Sequence, residues 1–131
     1  MNLLDEQMRA DQRLLLTKWK IRFRQIGKDL APPGIKDANI LPLLHQLKQP
    51  TLFTHDEDFF QRQLLHPGYC LVWLDTSDIE AALYIRKFLS HPRFNTKAKR
   101  MALVVRAHHD VVQFWQMNKS NREHEHWPVQ R

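Results

Sequence analysis

The sequence TLFTHDEDFF, residues 51–60, decides the fold that we predict for this chain. Its first half is a short apolar run bounded by Pro50, and its second half is a polar, acidic turn. Together they predict a strand that leads into a helix. Asp56 and Asp58 then follow the carboxyl end of a strand, as Asp5 does after the apolar run at the start of the chain. In open α/β sheets, ligands collect at such strand ends because the loops there carry polar groups while the strands stay buried.

The composition predicts one soluble domain. With 131 residues, 43% of them hydrophobic, the chain can bury one sizeable core and needs no second. The single cysteine, Cys70, lies in an apolar run and cannot form an internal disulfide, so a reducing, cytoplasmic location is expected. Acidic residues follow the first four residues at once, and no apolar run approaches the roughly 20 residues of a membrane span. Neither a signal peptide nor membrane contact is therefore expected.

The charge balance points towards polyanionic partners. Twenty Lys and Arg against fourteen Asp and Glu give a formal net charge of +6, which favours phosphate-bearing ligands by steering and counterion release. On charge alone, a merely basic and soluble surface is an equal alternative. A positive net charge combined with acids gathered at the strand ends is typical of a protein that binds phosphates and also holds a metal ion.

The rest of the chain alternates predicted helices and strands. The predicted helices cover residues 8–18, 37–48, 59–65 and 79–89. The predicted strands cover residues 19–24 near a sheet edge, 69–74 in a buried position, and 101–106 with 111–115 as a closing hairpin. This succession predicts an α/β fold, a three-layer α/β/α sandwich with a mainly parallel sheet and a C-terminal β-hairpin. Residues 1–117 would form the domain, and residues 118–131 a polar, loosely ordered tail.

Asp37 follows a connector rich in proline and glycine, residues 31–34, and begins the second predicted helix. It suits the N-cap position, where a side-chain oxygen accepts a hydrogen bond from the first helical turn. Two roles stay open for it: capping alone, or leaning over the same sheet edge as Asp5 and Asp56.

Four segments together resemble a known family. They are LDEQ at 4–7, Asp37 ahead of an Ile-Leu pair, THDEDF at 54–59, and HPGY at 66–69 ahead of a hydrophobic strand. Their order and spacing resemble PIN domains, and most closely the small stand-alone bacterial PIN-like branch of predicted nucleases and toxins of toxin–antitoxin pairs. The likeness covers about residues 1–115.

The resemblance implies a metal-dependent ribonuclease, a hydrolase whose acidic cluster holds Mg²⁺ or Mn²⁺ at the carboxyl edge of the sheet. Asp5, Asp37 and Asp56 match the family's metal-site acids, and Asp58 matches a further acid beside them. Two more positions match the family pattern: Thr54, a small polar residue that helps to orient an acid or water, and Glu6, a recurring acid of unassigned role. The resemblance also implies RNA as substrate and an antitoxin protein as partner.

Substrate contacts would come from basic residues near that edge. Where many relatives carry a basic residue in the strand before Asp75, this chain has Trp73, so a phosphate-facing cation must come from elsewhere or is missing. The candidates are Arg9, Arg13, Lys36 and Arg62, each with the alternative of a solvated surface cation. The exposed alternating strand and the Trp-containing hairpin also allow a homodimer.

The chemistry of the acids is consistent with a metal site independently of the resemblance. Several neighbouring carboxylates remain ionised only at a high free-energy cost unless a cation lies among them, and hard oxygen ligands suit Mg²⁺ or Mn²⁺. Two other classes of function stay open: a receiver-like phosphoacceptor, which would need a lysine after a later strand, and a non-catalytic RNA- or protein-binding module with a degenerate site. The histidine pairs 108–109 and 124/126 lack the spacing of a typical zinc site.

Overall fold

A computed structural model describes residues 1–128 of the chain. Its helices are α1 (Ala10–Lys18), α2 (Asp37–His45), α3 (Ala81–Ser90) and α4 (Lys97–Arg100). Its strands are β1 (Asn2–Leu4), β2 (Arg24–Gln25), β3 (Thr51–Thr54), β4 (Cys70–Leu74), β5 (Leu103–Ala107), β6 (Val111–Gln116) and β7 (Glu123–His126). No helix among these residues is long and apolar enough to cross a bilayer.

The strands form one sheet in the order β2-β1-β3-β4-β5-β6-β7. The first five are parallel to one another, and β6 and β7 are added antiparallel at one edge. The predicted α/β architecture, with a mainly parallel sheet and a C-terminal hairpin, is therefore confirmed.

Two cores lie on opposite faces of the sheet, because successive residues of a strand point to opposite sides. One face carries Leu4, Phe53, Val72 and Val105, which pack with buried residues of α1 and α3. The other face carries Leu3, Leu52, Leu71 and Val104, which pack with buried residues of α2. The loop after β1 leads to α1 on the first face, whereas the loop after β3 leads to Phe59, which packs on the second.

The strand predicted over residues 19–24 is wrong in extent and right in its edge position. Helix α1 ends in a turn in which the N–H groups of Lys20 and Ile21 donate to the carbonyls of Thr17 and Leu16, at 3.0 and 2.9 Å. This is the hydrogen-bond pattern of a Schellman C-cap. Lys20 occupies its left-handed position with φ 61°, where glycine is the favoured residue. Because the turn uses these residues, β2 contains only two.

The helix predicted over residues 59–65 is also wrong. The chain forms two separate 3₁₀ turns there, Glu57–Phe59 and Arg62–Leu64. Phe60 lies between them with ψ 73°, outside the helical range. This break allows Phe59 to be buried while the Phe60 ring lies 5.8 Å from the ring of Trp73.

The polar segment expected as a loosely ordered tail, residues 118–131, contributes a strand. Glu123–His126 form β7, which pairs along β6, so the expectation of disorder was wrong for these residues. The indole N–H of Trp127 donates to the carbonyl of His108 at 2.6 Å and closes the hairpin against the core. Residues 129–131 of that segment lie outside the described part of the chain.

Candidate active site

A cavity of about 130 Å³ lies where the carboxyl ends of β1 and β3 meet. Its polar lining includes Asp5, Glu6, Asp37, Thr54 and Asp56. Since β1 and β3 are neighbours whose following loops run to opposite faces, a crevice opens between those loops, at the position where open α/β sheets bind ligands. This is the edge of the sheet at which the sequence predicts that the acids gather.

Asp5 joins the two loops that border the cavity. Its Oδ1 accepts a hydrogen bond from the backbone N–H of Gln7 at 3.0 Å, and its Oδ2 accepts one from the N–H of His55 at 3.2 Å. Its own backbone N–H donates to the carbonyl of Phe53 at 3.1 Å. Asp5 therefore fixes the turn after β1 against the turn after β3, and each of its carboxylate oxygens still has a lone pair available.

Thr54 and Asp58 fix the backbone around Asp56. The buried Thr54 Oγ1 accepts a hydrogen bond from the N–H of Asp56 at 3.1 Å. The Oδ1 atom of Asp56 accepts one from the N–H of Asp58 at 2.9 Å and so caps the first 3₁₀ turn. One oxygen of Asp56 thus orders the turn, and Oδ2 is not part of that capping bond.

Asp37 is the first residue of α2, and its preceding residue Lys36 occupies the N-cap position without a side-chain hydrogen bond. The predicted N-cap role of Asp37 is therefore wrong. Partial desolvation, followed by the charge of Asp56, a hydrogen bond with Asp56 and the charge of Asp58, raises the pKa of the Asp37 carboxyl. Asp37 consequently lies over the same edge as the acids that follow β3.

Replacement of Asp37 by Asn tests this repulsion. A raised pKa means that the folded protein binds the proton at Asp37 more readily than the unfolded chain does, so ionisation above the ordinary value of 3.8 destabilises the fold. Below that pH the variant should match the wild type. At pH 7 it should be more stable, by about 0.5 kcal/mol or less because the side chain is exposed. Urea unfolding at both pH values measures the difference, and a loss of stability at pH 7 would contradict the repulsion.

Glu6 anchors the connector between β2 and α2. Its Oε1 and Oε2 accept hydrogen bonds from the backbone N–H of Gly34 at 2.8 and 2.9 Å. Its carboxyl also packs on Gly27, where a Cβ would lie 2.9 Å from the Glu6 Cδ. The connector is thereby held beside the cavity, to which Ile35 contributes an apolar wall.

Gly27→Ala should lower the free energy of unfolding more than Gly34→Ala does. Both glycines have positive φ, 88° and 81°, so both substitutions carry about 1 kcal/mol of backbone strain. Only at Gly27 would the new methyl group also collide with Glu6, since nothing lies within 4 Å of a Cβ at Gly34. Urea unfolding of the two variants measures the difference, and equal losses would contradict the close packing of Glu6.

Gln25 is a positioning residue that the sequence reasoning missed. Its buried side-chain amide donates to the carbonyl oxygens of Asp5 and Glu6 at 3.1 and 3.3 Å, and lies 3.5 Å from that of Met8. It therefore holds the acidic turn after β1 from the neighbouring strand. The sequence feature that could have indicated this role is a polar residue directly after the alternating apolar and basic stretch 19–24.

The basic residues expected to contact substrate lie outside the cavity lining. Lys36 is exposed at the start of α2, and Arg13 donates to the carbonyl of Met8 at 2.8 Å. The guanidinium of Arg62 lies 5.8 Å from the centre of the Trp115 ring.

The fourth of these residues, Arg9, pairs with Asp11 at 3.0 Å. A cation that was not anticipated lies near Trp73: Arg106 of β5 is 5.3 Å from its ring centre. Arg106 donates to Asp75 at 2.8 Å, so it is already engaged by an acid.

The acids at this edge lack counter-charges. In the part of the chain covered by the structure, no Lys, Arg or His forms an ion pair with Asp5, Glu6, Asp37, Asp56 or Asp58. Nor does any group of three or more His, Cys, Asp or Glu within residues 1–128 stand ready to hold a metal ion. The donor set itself, carboxylate oxygens among which burial and the charges of Asp56 and Asp58 raise the pKa of Asp37, fits a hard divalent cation such as Mg²⁺ or Mn²⁺.

None of the protein-family models, curated proteins and solved structures that were compared with this chain matches it. A functional assignment consequently depends on the acids at the β1–β3 edge and on the residue pattern that resembles PIN domains.

Proposed function

We propose that this protein is a PIN-like, metal-dependent endoribonuclease that hydrolyses RNA phosphodiester bonds at the β1–β3 edge. The observation that carries the proposal is the convergence of Asp5, Asp37 and Asp56 from three separate segments on one cavity, with no basic side chain in its described lining. The resemblance to PIN-like toxins further supports a cytoplasmic toxin with an antitoxin partner. The basic net charge of +6 suits an RNA substrate.

In this proposal, Asp5 and Asp56 would hold Mg²⁺ or Mn²⁺ directly, and Asp37 and Asp58 would contribute oxygens directly or through water. The bound cation would polarise the phosphodiester and lower the pKa of the attacking water. The chain's own contribution is to orient the acids. Thr54 fixes the backbone of Asp56, and the side chain of Gln25 fixes the turn after β1. This rigidity keeps the carboxylates from spreading apart under mutual repulsion.

A non-catalytic RNA- or protein-binding module is the second candidate. It is favoured by the engagement of both Asp5 oxygens with backbone N–H groups, an arrangement that a purely structural acid would also adopt. A receiver-like phosphoacceptor would share the strand order of the five parallel strands. That function also needs a lysine after a later strand, and the chain continues after β5 with His108 and His109.

Cleavage of a fluorescently labelled single-stranded RNA by the purified protein tests the proposal. We expect cutting within the strand in Mg²⁺ or Mn²⁺ and none in EDTA. Cleavage that persists in EDTA would contradict the metal-dependent chemistry. Absence of cleavage with either metal, across RNAs of several sequences, would favour the binding module.

A further inference from the structure

A groove of about 910 Å³ opens at the edge opposite the acidic cavity, where β1 and β2 begin and α1 ends. Its described lining contains five basic residues and no acidic one: Lys20, Arg22, Arg24, Lys97 and Arg100. We call this lining the basic groove. The five side chains come from two segments far apart in sequence, so the fold itself gathers the positive charge here.

Arg100 is the most deeply placed of the five, with 6% of its surface exposed. Its Nε donates to Thr51 Oγ1 at 3.2 Å and its Nη1 to the carbonyl of Phe94 at 2.8 Å, so both acceptors are neutral. Within residues 1–128, no carboxylate pairs with it. Burial lowers the pKa of the Arg100 guanidinium. A buried cation without a counter-charge is costly, and an anion in the groove would reduce that cost.

The positive potential of the basic groove also acts on a neighbouring group. The pKa of the Met1 amino group is lowered to about 6, first by burial and then by the nearby Lys97 and Arg100. Lys97 and Arg100 thus disfavour a further positive charge beside them. The same positive potential favours a bound anion.

The outer part of the basic groove combines charge with apolar surface. Lys20, Arg22 and Arg24 are exposed, and they alternate along the chain with the half-buried Ile21 and Phe23. None of the three basic side chains forms an ion pair with an acid of the described residues. Free cations beside an aromatic ring are the combination by which proteins hold the phosphates and bases of single strands.

We propose that the basic groove binds the phosphodiester backbone of a single-stranded nucleic acid, with bases contacting Phe23 and Ile21. The volume of the groove and the spread of its cations suit several linked phosphates better than one isolated phosphate. The proposal does not depend on cleavage at the acidic edge, because a strand can be bound here whether or not it is cut.

Lys20→Gly gives a test in which unfolding cannot explain a loss of binding. Glycine suits the left-handed φ of 61°, so the variant should melt at a higher temperature than the wild type. Binding of fluorescein-labelled oligouridylate and oligothymidylate is followed by anisotropy in EDTA, which prevents metal-dependent cutting. We expect weaker binding, and a slope of log affinity against log salt that is smaller by about 0.7 for the one lost phosphate contact.

A charge-reversed pair supplies the second arm. Lys20→Glu with Arg22→Glu should reduce the salt slope by about twice as much and weaken binding by about tenfold or more. Lys48→Glu with Arg122→Glu makes the same change in net charge outside the groove and should bind nearly as the wild type does. Equal losses in both pairs would assign binding to net charge alone and overturn the proposal, as would undetectable binding by the wild type.

The probes also separate the sources of phosphate. Similar affinities for the RNA and DNA probes, with a weaker response to a duplex, are expected of a backbone-binding groove. Displacement of either probe by inorganic phosphate at an equal concentration of phosphate groups would show a small-anion site and overturn the assignment to a nucleic acid.

Discussion

Replacement of Asp56 by Asn is expected to lower the initial rate of RNA cleavage by about 10²-fold or more. Asp56 lies in the cavity lining, and after burial its charge contributes most to the raised pKa of Asp37. Loss of its charge would remove a principal metal ligand, and metal chemistry is worth several kcal/mol of transition-state stabilisation. The capping hydrogen bond from the N–H of Asp58 can be retained by the Asn oxygen, so the fold should survive.

Glu57→Gln is the matched control for this prediction. Glu57 follows Asp56 directly, is exposed, and is not among the residues that line the cavity. The Glu57→Gln variant should cleave RNA at nearly the wild-type rate. Initial rates at saturating Mn²⁺, with circular dichroism spectra of both variants, make the comparison. An Asp56→Asn variant that cuts like the wild type, or equal losses in both variants, would remove Asp56 from the chemistry.

Phe88→Ala should lower the free energy of unfolding by about 3–5 kcal/mol. Phe88 is fully buried in the core between the sheet and α3. Its ring stacks on Phe94 with the centres 4.7 Å apart and meets the ring of Phe53 edge-on at 5.9 Å. Removal would leave a cavity that rigid aromatic neighbours close poorly, and it would also remove two ring–ring contacts.

Leu83→Ala is the control for replacing a large apolar residue of α3 by alanine. Leu83 lies on the same helix and is 36% exposed, so its truncation should cost about 1 kcal/mol or less. Urea unfolding followed by circular dichroism gives both free energies. Equal losses at the two positions would mean that the aromatic core contributes far less than its burial indicates.

The interior strands of the sheet were predictable from the sequence because they are short and mainly apolar and carry clear boundaries. The run 69–74 predicted a strand buried on both faces, and Cys70–Leu74 forms β4 in the interior of the sheet. The apolar runs around His108-His109-Asp110 predicted the antiparallel pair β5 and β6. In these segments, local pattern and final burial agree.

The errors came from segments in which a helix cap or a strand pairing overrides the local periodicity. The sequence Trp19–Arg24 alternates like a strand, yet Lys20 is used to close α1. The charged sequence Glu123–His126 lacks the usual residues of a strand, but it pairs along β6 and gains an ion pair from Arg93 to Glu123 at 3.4 Å. Neither outcome follows from periodicity alone.

The candidate site was predictable in place and less so in detail. The strand-end rule places Asp5 and Asp56 at one edge, and both line the same cavity. The anchoring of Gly34 by Glu6 and the role of Gln25 depend on the path of a connector that no pattern specifies. Long-range hydrogen bonds of this kind become visible only when the chain is folded.

Binding of Mn²⁺ to the purified protein, followed by electron paramagnetic resonance of the free ion, tests the central claim most directly. That claim is that the acids at the β1–β3 edge hold the divalent cation used for RNA hydrolysis. The wild type and Glu57→Gln should deplete the free-ion signal, and Asp56→Asn should deplete it much less. A signal unchanged by the wild-type protein, or depleted equally by all three proteins, would contradict the claim.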